Sequence, residues 1–172
     1  MATLELRYLA DVPDLLPLVA RWHQLQWGYL SNAISLDERI RRYQSHLQRE
    51  QPPMTFVALV DGQPAGSASL VENDLGDRSD LTPWLASVYV TPPMRRQGVG
   101  AALVHRVAEE AARLGYATLY LYTYDKARFY QHQGWRAVER RPYRGVQVTV
   151  MALDLDKLPS SHHQPSTGRS RA

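Results

Sequence analysis

The chain has 172 residues, 44% of them hydrophobic, and 20 lysine and arginine residues against 17 aspartate and glutamate residues. This length and composition fit one soluble globular domain, and no apolar run comes near the roughly 18 residues that a membrane-spanning helix needs. The absence of cysteine excludes disulfides, cysteine metal sites and a covalent intermediate on cysteine.

The excess of basic residues is concentrated at the end of the chain. Arg169 and Arg171 lie in the segment 159–172, which contains no acid, so residues 1–158 hold 18 basic against 17 acidic residues. Because this part is nearly neutral, we expect neither nucleic acid nor membrane as a partner. The tail is rich in Ser, Pro and His and is expected to be disordered, with His162 and His163 as a surface pair and not a metal site. The N-terminus does not read as a signal peptide, which predicts a cytoplasmic protein.

In chain order, the first half predicts a strand, two helices and a hairpin. Asp11 is placed to cap the first helix. Ser35 and Glu38 have the spacing of a capping box, and the second helix that they open is predicted to run to about Arg49. The strands are predicted at 3–9, 54–60 and 65–71, the last two joined by a tight turn.

The second half predicts strands and helices in alternation, then a closing hairpin. Asp125 is placed to cap a short helix that ends near Gln133. The predicted strands are 84–90, 118–123, 135–140 and 146–153, and a longer helix is predicted at 98–114.

A basic, glycine-rich turn joins the strand at 84–90 to the longer helix. The N–H groups at the start of a helix are unpaired and lie at the positive end of its dipole, and Arg95 and Arg96 add full charges. These features predict a site for phosphate oxygens. A dinucleotide-binding turn fits less well for two reasons. Leu103 replaces the third glycine, and seven residues, 91–97, separate the predicted strand from Gly98 where a tight turn is needed. A P-loop is excluded because Gly-Lys-Ser/Thr is absent.

Two motifs resemble those of the GCN5-related N-acetyltransferases. The run RRQGVGA at 95–101 resembles the family's acyl-CoA signature R/Q-x-x-G-x-G/A, and FYQHQGW at 129–135 is similar to its FYxxxGF. The order of predicted elements is also similar to the family's. The resemblance implies an α/β (α+β) domain over 1–158 with the acyl-CoA N-acyltransferase fold, a mixed central sheet of about seven strands flanked by about four helices.

The resemblance implies acetyl-CoA as the co-substrate, without a metal. The main chain of Val88 and Val90 would bind the pantetheine amides, and the Val88 N–H would polarise the thioester carbonyl. The N–H groups from Gln97 to Ala101 would hold the pyrophosphate. The implied cofactor-binding residues are Val88, Val90, Arg95, Arg96, Gln97, Gly98, Val99, Gly100 and Ala101.

By the same resemblance, Tyr130 is the general acid that protonates the leaving thiolate. Thr123 stands where many members of the family have Asn, so the hydrogen bonding at that position is left open. The general base must come from elsewhere. Glu72 is the leading candidate because it ends a strand that faces the expected cleft, and Asp74 and Asp80 follow.

The acceptor is indicated only by charge. Residues 72–80 carry a net charge of −3, which favours a cationic amine. Arg140, Arg141 and Arg144 would instead suit an acidic peptide N-terminus. The expected activity is direct transfer of acetyl from acetyl-CoA to the primary amine of a small cationic molecule. The alternatives are an acetyltransferase of a peptide or protein N-terminus and a non-catalytic acyl-CoA-binding module, and a homodimer is left open.

Overall fold

The computed structural model describes residues 1–30 and 34–158. The expected disordered tail at 159–172, with its histidine pair, lies outside the described residues. The strands are β1 (Leu4–Tyr8), β2 (Met54–Val60), β3 (Gln63–Val71), β4 (Trp84–Val90), β5 (Thr118–Thr123), β6 (Arg136–Tyr143) and β7 (Val146–Asp154). The α-helices are α1 (Leu16–Trp27), α2 (Leu36–Tyr43), α3 (Val99–Arg113) and α4 (Ala127–Gln131).

The start of α1 differs from the prediction. Asp11 does not cap it, because Leu9–Asp11 and Pro13–Leu15 each form a short 3-10 turn. The helix begins at Leu16 and has Pro17 in its first turn. Proline is tolerated there because the N–H groups of a first turn have no partner within the helix.

Helix α2 begins as predicted and ends early. The Ser35 hydroxyl accepts a hydrogen bond from the backbone N–H of Glu38 at 3.1 Å, which confirms the predicted cap. The α-helix ends at Tyr43, and the chain continues as a 3-10 turn at Gln44–His46. The predicted extension to Arg49 was therefore wrong.

The seven strands of the described residues form one sheet in the order β1-β2-β3-β4-β5-β7-β6. Neighbouring strands are antiparallel except for β4 and β5, which run parallel. Successive residues of a strand face opposite sides of a sheet. On β2, Phe56 and Ala58 pack in the core cluster that contains residues of α3, while Val57 packs in the cluster of α1 and α2. Helices therefore cover both faces, and the predicted mixed sheet is confirmed.

A buried carboxylate fastens α3 to the first strand. Glu110 is fully buried on α3 and accepts hydrogen bonds from Tyr8 of β1 at 2.9 Å, from Arg106 at 3.0 Å and from Arg113 at 2.6 Å. Burial alone would raise the pKa of Glu110, but these hydrogen bonds hold it below its ordinary value. The charged carboxylate is thus satisfied inside the fold.

None of the helices at 1–30 and 34–158 is long and apolar enough to span a membrane. Over the same ranges, no group of three or more metal-ligating side chains comes together.

Candidate active site

The centre of the sheet is split between β4 and β5. The two parallel strands are paired at one position, Trp84 opposite Tyr120, and diverge beyond it. Strand β4 also carries a bulge, because Ser69 and Ser67 of β3 face Ala86 and Tyr89. Two steps on β3 therefore correspond to three on β4. This divergence opens a cleft at the middle of the molecule.

The bulge consists of Ser87 and Val88, which have no partner in the register of β3. Ser87 has a φ of 56°, a left-handed conformation that costs a non-glycine residue roughly 1–2 kcal/mol. Val88 follows it and is half-buried against the main core cluster. The bulge turns the main chain at Val88 away from β3, so its polar groups are available to a ligand in the cleft.

The strand that flanks the bulge is held close by a glycine. A Cβ added at Gly66 of β3 would lie 2.4 Å from the carbonyl oxygen of Tyr89. Such a contact is too short for any side chain, so β3 and β4 approach as closely as they do because residue 66 is glycine. Sequence reasoning missed this residue, although an isolated glycine inside a predicted strand is a signal of close backbone approach.

The turn before α3 leaves its N–H groups free. Gly98 precedes the helix with a φ of 83°, and no atom lies within 4 Å of the Cβ that alanine would add. Position 98 therefore favours glycine because of its backbone conformation, and not because a side chain would clash with other residues. The N–H groups of residues 97–101 donate to no other described residue. This geometry fits a pyrophosphate, which needs several converging donors at a helix N-terminus.

The two arginines of this turn are placed differently. The Nε atom of Arg95 donates to the Val90 carbonyl at 2.9 Å, and its guanidinium carbon lies 5.9 Å from the centre of the Tyr89 ring. Arg96 is exposed and forms no ion pair with another described residue. Arg95 is therefore partly engaged with β4, whereas Arg96 is a free positive charge beside the turn.

Tyr130 lies on α4 and packs into the main core cluster. Its side chain is 8% exposed, and its ring centre lies 5.9 Å from that of Trp135. Burial raises the pKa of Tyr130 to about 12, so the hydroxyl stays protonated at neutral pH. No hydrogen bond joins this hydroxyl to another described residue. It is a proton donor without an internal acceptor.

The residue that fixes the start of α4 is Thr123. Its hydroxyl accepts a hydrogen bond from the backbone N–H of Lys126 at 3.0 Å. The predicted capping by Asp125 was wrong, because Lys126 occupies the N-cap position and no side chain caps the helix there. Thr123 thereby places the helix that carries Tyr130.

A polar cavity of about 170 Å³ opens on the side of β4 that α1 and α2 cover. It reaches the bulge at Ser87. Burial lowers the pKa of both His23 and His46 to about 4, so both imidazoles are neutral. Two arginines, Arg39 and Arg42, line the cavity together with the polar residues His23, Tyr43, His46, Ser69, Asp74 and Ser87.

Asp74 is the acid that this cavity contains. No hydrogen bond or ion pair joins its carboxylate to another described residue. Burial raises the pKa of Asp74 to about 7, against the opposing charge of Arg144. The other three acids of the loop are placed otherwise: Asp77 pairs with Arg141, Asp80 pairs with Arg78 at 2.9 Å, and Glu72 is exposed beyond the end of β3.

The comparison with known families decides the identity of the fold. The model of the acetyltransferase (GNAT) family matches residues 17–135, which is more than half of the chain. The chain belongs to this family. The matched range includes β4, the turn before α3 and the motif at 129–135, so the predicted family and fold are confirmed.

Solved structures of several acetyltransferases have the same fold. The structure of yncA from Salmonella typhimurium with its cofactor acetyl-CoA is 22% identical, with 91% of this chain and 96% of that chain covered and a TM-score of 0.67. An aminoglycoside 6'-N-acetyltransferase complexed with coenzyme A is 16% identical, with 91% and 99% covered and a TM-score of 0.70. Spermidine/spermine N-acetyltransferase SpeG from Vibrio cholerae is 17% identical, with 90% and 94% covered and a TM-score of 0.66. No curated protein sequence matches significantly.

In this GNAT acetyltransferase, the arginines of the β6–β7 hairpin are largely engaged. Arg141 pairs with Asp77 and with Glu139. An Nη atom of Arg144 donates to the Leu30 carbonyl at 2.6 Å, which joins the hairpin to the segment that follows α1. Exposed Arg140 is the remaining member of the predicted cluster. The cluster therefore offers little free positive charge to an acidic acceptor.

Three tyrosines pack together beside the hairpin. The ring of Tyr122 lies 6.1 Å from that of Tyr124 and 5.4 Å from that of Tyr143, both at steep angles. Burial raises the pKa of Tyr122, and the negative charge of Asp74 raises it further. Carboxylate and tyrosine faces together suit a cation. These tyrosines were not singled out from the sequence, because Tyr122 of β5 and Tyr143 of β6 meet only in the fold, across the strand β7 that lies between them.

Proposed function

We propose that this protein is an acetyl-CoA-dependent N-acetyltransferase that moves an acetyl group directly to the primary amine of a small cationic molecule. The observation that carries the proposal is Asp74, an unpaired carboxylate in a cavity that reaches the bulge of β4. A carboxylate can accept a proton from an ammonium group, and a pKa near 7 suits a base at neutral pH.

The donor side of the proposal rests on backbone groups. The free N–H groups of Gln97, Gly98, Val99, Gly100 and Ala101 would hold the pyrophosphate, and Arg96 would add charge. Arg95 would contribute mainly by ordering the end of β4, since it already donates to the Val90 carbonyl. Because its carbonyl is engaged in this way, Val90 would have fewer free main-chain groups than Val88 for contact with the pantetheine arm.

Val88 would supply the electrophilic contact. Its N–H lies at the bulge and would donate to the thioester oxygen as negative charge develops there. One such donor contributes on the order of 3 kcal/mol to transition-state stabilisation. The side chain of Val88 packs against the core, so the role belongs to the main chain.

The proton balance assigns a task to each side of the cleft. Asp74 takes one proton from the ammonium group, and the neutral amine nitrogen attacks the thioester carbonyl carbon. The C–N bond forms, the C–S bond breaks, and Tyr130 donates a proton to the departing sulfur. After the attack the nitrogen loses a second proton, which makes up for the proton that Tyr130 donated. The products are an amide and the thiol of coenzyme A. Glu72 is the less favoured base because it is exposed outside the cavity.

Two neighbours in fold support an amine as the acceptor. One is named as an aminoglycoside 6'-N-acetyltransferase and the other as a spermidine/spermine N-acetyltransferase. Their identity to this chain is below 20%, so they support the class of reaction and not a particular acceptor.

The test is release of coenzyme A thiol on mixing the protein with acetyl-CoA and a panel of acceptors. The panel contains small diamines and polyamines, aminoglycosides, neutral amines, and peptides with acidic or neutral N-termini. We expect release that depends on small cationic amines. Release with acidic peptides alone would assign the second candidate activity. Binding of acetyl-CoA without release for any acceptor would favour the non-catalytic module.

A further inference from the structure

We propose that the acceptor carries a carboxylate in addition to its primary amine, and that His23 and Arg42 hold this carboxylate. The inference rests on the proposed function and narrows its acceptor to one class of molecule. A diamino acid, with two amines and one carboxylate, keeps the positive net charge of a small cationic acceptor. His23 and Arg42 are then specificity-determining residues, and both lie apart from the proposed donor side.

The cavity beside the bulge has two sides of different chemical character. The helical side comes from α1, α2 and the turn that follows α2, and it contributes His23 and the two arginines, Arg39 and Arg42. The other side comes from β3, β4 and the loop between them, and it contributes Asp74. The basic groups and the carboxylate therefore belong to different sides. A molecule with an amine at one end and an anion at the other matches this division.

The tautomer of His23 is set by its neighbour on α2. Nη1 of Arg39 lies 2.5 Å from Nδ1 of His23. A guanidinium can only donate a hydrogen bond, so Nδ1 is the acceptor and carries no proton. The single proton of the neutral ring is therefore on Nε2.

The Nε2–H group of His23 is a donor without an acceptor in the described part of the chain. The ring lies 5.1 Å from that of Trp27 and 5.9 Å from that of Tyr43, so it is packed between two aromatic side chains. Because His23 also lines the cavity, an oxygen atom of a bound molecule can accept this hydrogen bond.

Arg42 brings a positive charge that its ion pair does not neutralise. Glu38 is shared by two arginines: Arg41 donates to it through Nε at 3.1 Å and Nη2 at 2.8 Å, whereas Arg42 donates through Nε alone at 3.2 Å. Two guanidinium groups against one carboxylate leave one positive charge. The Nη atoms of Arg42 donate to no other described residue. Guanidinium N–H groups bind carboxylates in a bidentate manner.

A carboxylate is the anion that fits these donors best. An alcohol would leave the charge of Arg42 unmatched, and a phosphate monoester carries about two negative charges and a third oxygen. The cavity of about 170 Å³ must also hold the reacting amine, which favours the smaller anion.

The first experiment compares acceptors that differ at the carboxylate. Free 2,4-diaminobutyrate, ornithine and lysine are each set against the corresponding amide, which has the same shape without the negative charge. We expect kcat/KM, measured by release of coenzyme A thiol, to be at least about tenfold higher for one or more of the acids than for the amides. Amides that react as well as the acids, or better, would overturn the inference and leave the proposed function intact.

The second experiment compares Arg42→Gln with Arg41→Gln in the full chain. Both arginines are exposed and pair with Glu38, but Arg42 lines the cavity and Arg41 is not among its lining residues. In Arg42→Gln we expect KM for the diamino acid to rise about tenfold, with KM for acetyl-CoA and for the amides unchanged. Arg41→Gln should behave as wild type. Equal effects in the two variants would contradict the role of Arg42.

His23 is tested by the donor that replaces it. His23→Gln keeps an N–H donor on the side chain and His23→Phe does not, so KM for the diamino acid should rise in the Phe variant and recover in part in the Gln variant. An equal rise in both variants, or no rise in either, would remove His23 from the site.

Direct binding separates this inference from the proposed function. We titrate the diamino acids and their amides into the protein with coenzyme A present and follow the heat of binding, which needs no turnover. We expect the acids to bind more tightly than the amides, and Arg42→Gln to weaken the acids alone by about tenfold. Acids that bind no better than their amides would end the inference. Binding of the acids without thiol release for any acceptor would end the proposed function alone.

Discussion

The two sides of the cleft are built from different parts of the polypeptide. The proposed donor side consists of main-chain groups at the bulge and at residues 97–101, which lie in one continuous stretch of the sequence. The proposed acceptor side consists of side chains from separate segments of the chain, such as Asp74, Tyr122 and Arg144. Backbone sites are specified by a short local motif, whereas side-chain sites depend on which segments the fold brings together.

The largest expected effect is on the acceptor side alone. Asp74→Asn should lower kcat about a hundredfold or more, because the base is lost while the amide keeps the shape. Affinity for acetyl-CoA, measured by titration calorimetry, should stay the same. Glu72→Gln is the matched variant, since it removes an acid from the same loop outside the cavity. If the Glu72 variant is the slower one, the assignment of the base is reversed.

The next effect belongs to the donor side. Tyr130→Phe should reduce kcat ten- to a hundredfold, because the phenol can no longer protonate the departing thiolate. Since the pKa of Tyr130 is about 12, the wild-type rate should show no loss from ionisation of this group up to about pH 10. A donor thioester with a better leaving thiol should restore part of the rate, because its departing thiolate needs less help from a proton donor. Full turnover of the variant with acetyl-CoA would remove Tyr130 from the mechanism.

A smaller effect is expected in the phosphate-binding turn. Gly98→Ala should weaken the binding of coenzyme A about tenfold, because alanine disfavours a φ of 83° and turns the N–H groups away. Gly115→Ala is a close control, since Gly115 follows α3 with a φ of 91° and is equally open. Both variants should lose about 1 kcal/mol of stability. Equal affinities, measured by calorimetry, would show that the turn does not bind the cofactor.

The last expected effect is a pH dependence of stability that belongs to Asp74 alone. The pKa of Asp74 is about 7 in the folded protein, against 3.8 for a free side chain. The folded state thus holds a proton that the unfolded state releases, and the free energy of unfolding should fall as pH rises from about 4 to 7. Asp74→Asn should remove this slope, as measured by denaturant melts across that range. A slope that persists in the variant would assign it to another group.

The fold was largely predictable from the sequence, and the residues proposed to bind the cofactor lie in motifs that the sequence also shows. The glycine spacing at 98–100 and the Phe-Tyr pair at 129–130 lie within one continuous stretch, and the order of elements agrees with the structure. The end of α2 was missed because Tyr43 and the residues after it continue in a tighter turn of similar periodicity. Asp11 was misread because aspartate is favoured both at the start of helices and in turns.

The acceptor side could be predicted only as a sum of charges. The run 72–80 contains four acids of equal sequence weight, and nothing in it shows that Asp77 and Asp80 are neutralised by arginines while Asp74 is not. Arg141 comes from a strand more than sixty residues later in the chain. Ion pairs between residues far apart in the chain decide which acids are neutralised. Such pairs cannot be read from the sequence without the fold.

The attachment of Glu110 to β1 has a mechanical consequence for α3. Glu110 lies twelve residues after Gly98, which is about 18 Å along a helix. Tyr8 of β1 is the partner of Glu110 that lies outside α3, so its hydrogen bond ties the second half of the helix to the sheet, while Val99 and Leu103 anchor the first half in the main core. The N–H groups at the start of α3 are thus held by a helix that is fixed along its length. Acid that protonates Glu110 would weaken the tie to β1, and we expect the proposed phosphate-binding turn to be affected although it shares no atom with Glu110.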